Sequence, residues 1–136
     1  METVLRESDF VSFHVPLLPQ TRNMISTNEL EIMKDTAFLI NTSRGPVINE
    51  KALIQALTDG KLRGAGLDVW DPEPPSPDNP LLSMDNVVAL PHIASASIET
   101  RTKMIEMAVE NLTSILAGRI PPHLVNKDVI NVRPLS

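Results

Sequence analysis

At 136 residues, with 42% apolar and 3% aromatic content, the chain has the length of one domain and the makings of an aliphatic core. Seventeen acids against twelve Lys and Arg leave a net charge of −5 with no basic run, which sets nucleic acid aside as a partner. The lack of cysteine excludes disulfides, thiolate catalysis and cysteine-based metal sites. No metal site is expected, and no stretch reaches the roughly 18 consecutive apolar residues of a membrane span. The segment METVLRESDF has no apolar signal region, so a cytoplasmic location is expected and the sequons at Asn41 and Asn111 read as accidental.

In chain order, Phe10 to Val15 is short, β-branched and aromatic and stops at Pro16, which predicts a strand. A turn-rich stretch follows. Ser26 and Glu29 then form an S-x-x-E capping box that opens a helix through about Lys34. Ala37 to Ile40 is an apolar run leading into NTSRG, the pattern of a buried parallel strand that delivers polar groups at its tip. Asn49 caps a second helix striped by Ala52, Leu53, Ala56 and Leu57 and stopped by Gly60. Ala65 to Trp70 is the third strand. Asp71 to Pro80, with five prolines in ten residues, forbids helix or central strand. Val87 to Leu90 is the fourth strand. The longest helix runs from about Ser97 to Ala117, with Ile105, Ala108, Val109, Leu112, Ile115 and Leu116 on one face, and ends at Gly118. The tail from Arg119 reads as an extended arm. This alternation implies an α/β fold with a parallel sheet, and its few elements look like half of a doubly wound domain.

Ligands bind at the carboxyl ends of strands in such sheets, and three charged or titratable side chains fall there. Arg44 follows Asn-Thr-Ser; its rigid fork of donors matches a carboxylate, although a surface arginine near a helix N-terminus is the plainer reading. His92 lies between proline and IASAS and suits general acid/base work, or is a satisfied loop histidine. Glu73, in the proline-stiffened loop, pairs with His92 to orient its ring and stabilise the imidazolium, or is a solvated acid. Asp68 interrupts an apolar strand, where a carboxylate needs a donor such as a ligand amide. Gly64-Ala-Gly66 precedes a strand, not a helix, so it is not a dinucleotide-binding loop.

HVPLLPQTRNMI, LINTSRGPVINEKALIQAL, GAGLDVWDPEPP and LPHIASA together resemble the D-isomer-specific 2-hydroxyacid dehydrogenases. That family includes glyoxylate and hydroxypyruvate reductases, D-lactate dehydrogenases and phosphoglycerate dehydrogenases. The likeness runs from about residue 8 to residue 130. It implies a partial doubly wound, Rossmann-like sheet with flanking helices, NAD or NADP as cofactor, and a small 2-oxo or 2-hydroxy acid as substrate. By the same resemblance Arg44 binds the substrate carboxylate, His92 transfers the proton, and Glu73 pairs with the histidine. Asp68 faces the nicotinamide carboxamide, while Val15, Pro16, Thr21, Thr42 and Ser43 line the cofactor cleft beside Arg44 and His92. The family's formate dehydrogenase branch has glutamine in place of Glu73, which argues against formate.

Residues 1–118 are then the C-terminal part of a dinucleotide-binding domain and 119–136 a tail. The substrate domain and the G-x-G-x-x-G unit that members carry are not in this sequence. The resemblance therefore implies a homodimer when full length and an isolated chain without appreciable turnover. A non-catalytic remnant or a corepressor-like binding module of the same fold is the other expectation.

Overall fold

The computed structural model describes residues 1–132, which form two compact units, Met1–Ala94 and a second beginning at Ser95. The first opens with a short helix, α1 (Glu2–Glu7), carrying an Arg6–Glu2 pair at 2.9 Å and one buried residue, Leu5. There follow β1 (Phe10–Phe13), α2 (Thr27–Glu31), β2 (Phe38–Asn41), a 3₁₀ turn (Gly45–Val47), α3 (Glu50–Thr58), β3 (Gly64–Leu67), a second 3₁₀ turn (Pro80–Leu82) and β4 (Val87–Ala89). The second unit contains α4 (Ile98–Leu116) and a single-turn helix, α5 (Val129–Val132).

All four strands are parallel and adjacent in chain order, β1-β2-β3-β4. Phe10 pairs with Phe38 and Phe13 with Asn41; Asn41 in turn pairs with Leu67. This register explains why two strands are shorter than expected. His14 and Val15 lie past the last paired position of β1, and Asp68 to Trp70 lie past that of β3. Their tips are therefore loops, where side chains are free to converge.

The local signals are realised. The Glu29 carboxylate accepts the Ser26 N–H at 3.0 Å, and Asn49 Oδ1 accepts the Ala52 N–H at 3.3 Å. Helix α2 ends three residues before Lys34, with Ile32 as its cap. Gly60 and Gly118, expected as stops, take left-handed φ of 68° and 66°. Leu53, Ala56 and Leu57 of α3 join Val11, Phe13, Leu39, Ala65 and Leu67 in one core. The opposite sheet face is open: Phe10 and Val88 are 67% and 63% exposed, and Phe10 stacks on Phe38 with ring centroids 5.3 Å apart.

In the second unit Ser97 caps α4 through its Oγ, which accepts the Thr100 N–H at 3.1 Å. The apolar stripe expected on this helix is solvent-exposed, with Ile105 and Leu116 at 64% and 78%. The tail is not wholly an extended arm, because beyond Pro122 the apolar run VINV closes one helical turn. Its last four residues lie outside the described ones.

Candidate active site

Every candidate side chain belongs to the first unit, at or just beyond the carboxyl end of a strand. After β1, the Thr21 hydroxyl donates to Pro16 O at 2.6 Å and accepts the Leu18 N–H at 2.8 Å. It therefore ties down the turn that carries Val15 and Pro16. After β2, Asn41 is 1% exposed and organises the loop that follows. Its Oδ1 accepts the Ser43 N–H at 3.1 Å and the Ser43 hydroxyl at 2.8 Å, while Nδ2 donates to Arg44 O at 3.0 Å. The exposed Arg44 guanidinium donates to Ser43 O at 2.6 Å. Val15, Pro16, Thr42, Ser43 and Arg44 line one open groove of about 540 Å³ with His14 and Leu17. Thr21, Asp68 and His92 are not on its wall.

Gly45 lies against the backbone of Trp70, so closely that an added Cβ would overlap the Trp70 carbonyl. Only glycine permits this approach. It locks the loop carrying Arg44 to the one that leads to Glu73. Trp70, buried at the tip of β3, donates its indole N–H to Leu90 O at 3.0 Å and so joins β3 to the segment before His92.

Asp68 is 1% exposed, and both its oxygens are engaged by the chain itself: Oδ1 by the Ile93 N–H and Oδ2 by the Ala94 N–H, each at 2.7 Å. Two charge-assisted bonds offset the cost of burying this carboxylate. The required donor is thus the peptide after His92. His92 itself has φ of 57°, an uncommon conformation for a side-chain-bearing residue, held on one side by Pro91 and on the other by the Asp68 clamp.

His92 Nδ1 and Glu73 Oε1 are 2.5 Å apart. A proton on Nδ1 satisfies that contact and leaves Nε2 as the exchangeable site, and among the described residues Nε2 has no hydrogen-bond partner. The His92 bond is the main reason the Glu73 carboxyl lies below its ordinary value of 4.5. Burial works the other way, while the Trp70 amide, 3.4 Å from Oε2, and the charges of His92 and Arg44 reinforce the lowering.

The arrangement therefore brings Glu73 and His92 into contact and holds Arg44 near enough for its charge to act on Glu73. Asn41 and Gly45 were not anticipated as site residues. The signal for Asn41 was a polar residue closing an apolar strand, and its burial argues against glycosylation there. Among the described residues no cluster of three or more His, Asp or Glu is arranged to hold a metal ion. Among them, too, no helix is long and apolar enough to cross a membrane.

Residues 1–94 match the family model described as D-isomer specific 2-hydroxyacid dehydrogenase, NAD binding domain. The chain belongs to this family. It is 56% identical over 134 residues to a glyoxylate reductase of Korarchaeum cryptofilum, a match that covers 98% of this chain and 40% of that protein. It is 50% identical over 130 residues to a glyoxylate/hydroxypyruvate reductase B of Enterobacter agglomerans, covering 96% and 40%. Among solved structures, a D-isomer specific 2-hydroxyacid dehydrogenase from Lactobacillus delbrueckii ssp. bulgaricus in its NAD-complexed form superposes with a TM-score of 0.82 at 38% identity, over 91% of this chain and 42% of that one. Another from Xanthobacter autotrophicus Py2, in complex with NADPH and MES, gives 0.79 at 38% identity, over 91% and 50%.

The four-stranded parallel sheet is thus a Rossmann-like part of a dehydrogenase NAD-binding domain, and the chain spans about 40% of the length of the curated relatives it matches. The groove at the β1 and β2 tips is walled by the apolar Val15 and Pro16 and by the hydroxyl-bearing Thr42 and Ser43. A dinucleotide's pyrophosphate has no glycine-rich seat in this sequence, because its five glycines nowhere form G-x-G-x-x-G.

Proposed function

We propose that this chain carries the acid/base and substrate-binding side chains of an NAD(P)-dependent reductase of small 2-oxo acids, of the glyoxylate or hydroxypyruvate class. The observation that carries the reading is the Glu73–His92 contact of 2.5 Å at the strand ends, with the Arg44 charge close enough to act on Glu73. When bound, the nicotinamide supplies or accepts the hydride. Arg44 holds the substrate carboxylate through paired N–H donors and polarises the 2-oxo group. His92 gives its Nε2 proton to the substrate oxygen during reduction and removes it during oxidation. Glu73 fixes the ring through Nδ1 and offsets the imidazolium charge.

Val15, Pro16, Thr42 and Ser43 border the cofactor in this reading, with Thr21 bracing them. Asp68 faces the carboxamide only by sharing oxygens already taken by Ile93 and Ala94. The complete enzyme is a cytoplasmic homodimer without nucleic-acid partners, and the 136-residue chain alone turns over negligibly because it lacks the phosphate loop. That same lack favours a second reading, a remnant that keeps the fold as a binding module.

One experiment separates the two. The chain replaces the segment it matches in the Korarchaeum cryptofilum relative, and glyoxylate and hydroxypyruvate reduction is followed by NADH or NADPH absorbance. The chimera is expected to turn over, the isolated chain is not, and His92→Ala in the chimera should lose at least about a hundredfold in kcat. An inactive but folded chimera favours the remnant, and near-normal turnover in the His92 variant removes that residue from the mechanism.

A further inference from the structure

We infer that Asn41 is a positioning residue for Arg44, setting the place of the guanidinium through the backbone of the loop rather than by touching substrate. The inference rests on the reading of Arg44 as the substrate-carboxylate ligand. Asn41 is the last residue of β2, on the same face as Leu39, and it is 1% exposed. A buried amide is costly unless its donors and acceptor are satisfied. Here the partners all belong to the two residues that lead to the guanidinium. Oδ1 takes both the Ser43 N–H and the Ser43 hydroxyl, and Nδ2 donates to Arg44 O. One side chain thus spans the Ser43–Arg44 peptide from both ends.

Among the described residues the guanidinium's hydrogen bond is to that peptide, through Ser43 O. Moving the peptide moves the guanidinium with it. The Asn41 main chain carries the coupling further, because its carbonyl accepts the Asp68 N–H at 3.0 Å. Asp68 in turn holds the amides after His92. The tips bearing Arg44 and His92 are therefore referenced to one another through adjacent strand ends, and a 1 Å error at such a group is enough to cost a large factor in rate.

The sharpest variant is Asn41→Asp. It keeps the shape and the acceptor for Ser43 but removes the donor to Arg44 O and sets oxygen against oxygen. In the chimera, its KM for glyoxylate is expected to rise about tenfold while the KM for NADH or NADPH holds. A residue that mattered only for folding would lower the active fraction, and so kcat, without moving KM. Should the buried charge prevent folding, Asn41→Ala removes both contacts without adding one and is expected to raise the same KM. In the 136-residue chain, the Asn41 side-chain amide hydrogens should be protected from exchange in an NMR measurement. An active chimera whose Asn41 variants keep their glyoxylate KM within about twofold overturns the inference alone, as does an unprotected Asn41 amide. A folded, unmodified chimera that fails to reduce glyoxylate overturns the proposed function and this inference with it.

Discussion

Helix α3, in the unit Met1–Ala94, and helix α4, in the unit beginning at Ser95, both carry an apolar stripe at helical spacing. On α3 the stripe is the core: Leu53 and Leu57 are 1% and 5% exposed. On α4, Val109, Leu112 and Ile115 are 51%, 57% and 47% exposed. Identical periodicity thus meets opposite surroundings. The pattern reports that a face needs cover, and only the rest of the polypeptide decides whether cover is supplied. The open sheet face with Val88 and Phe10 belongs to the same account, because a parallel sheet is ordinarily covered on both sides. The matched relatives are about two and a half times as long, since the chain covers 40% of them. All the candidate site residues lie in the better-packed unit, where neighbours can hold side chains to a fixed geometry.

Substitutions graded by effect sharpen this contrast. Gly45→Ala should be the most damaging, at about 3 kcal/mol or more, because a methyl would meet the Trp70 carbonyl and neither backbone can withdraw without moving a site loop. A thermal melt by circular dichroism close to that of the unaltered chain would show the approach to be looser than described. Leu53→Ala should cost about 2–5 kcal/mol in chemical denaturation, the usual range for a leucine removed from a packed core. Leu112→Ala on α4 should change stability by no more than about 0.5 kcal/mol in the same assay. Equal losses at Leu53 and Leu112 would erase the distinction between the two helices.

The smallest effect concerns the Glu73–His92 pair. Its folded carboxyl titrates below the ordinary 4.5, so the pair stabilises the fold above that pH and loses its contribution as pH falls through the lowered value. In His92→Ala the Glu73 carboxyl should return toward 4.5, as followed by a carbon-13 NMR titration. An unmoved midpoint would show that His92 is not what lowers it.

What could be read in advance divides by sequence distance. The Ser26–Glu29 box, the Asn49 cap and the Gly60 stop are local arrangements, and each occurs in the fold as written in the chain. The α/β alternation and the parallel sheet were equally legible, because hydrophobic runs and periodicity are local too. Helix α1 escaped notice, since six residues with one buried leucine leave no period to detect. The donors to Asp68 come from 25 and 26 positions downstream, and Gly45 meets a carbonyl from the loop after the next strand. The sequon at Asn41 was read as accidental, but nothing in N-T-S announces that its amide will be folded inward. Arg44, Glu73, His92 and Asp68 stood out by their places at strand ends and again by resemblance; Asn41 and Gly45, which organise the loop of Arg44, did not.

Trp70 adds a practical consequence. It is the one tryptophan in a chain with no tyrosine, so ultraviolet emission at long wavelength has a single source. That source is buried, with its indole bonded to Leu90 O two positions before His92 and its amide facing Glu73. The chain therefore carries its own optical probe of the acid/base corner. A red-shifted emission reports the loosening of that corner without any label, and the same signal can follow Gly45→Ala in the 136-residue chain.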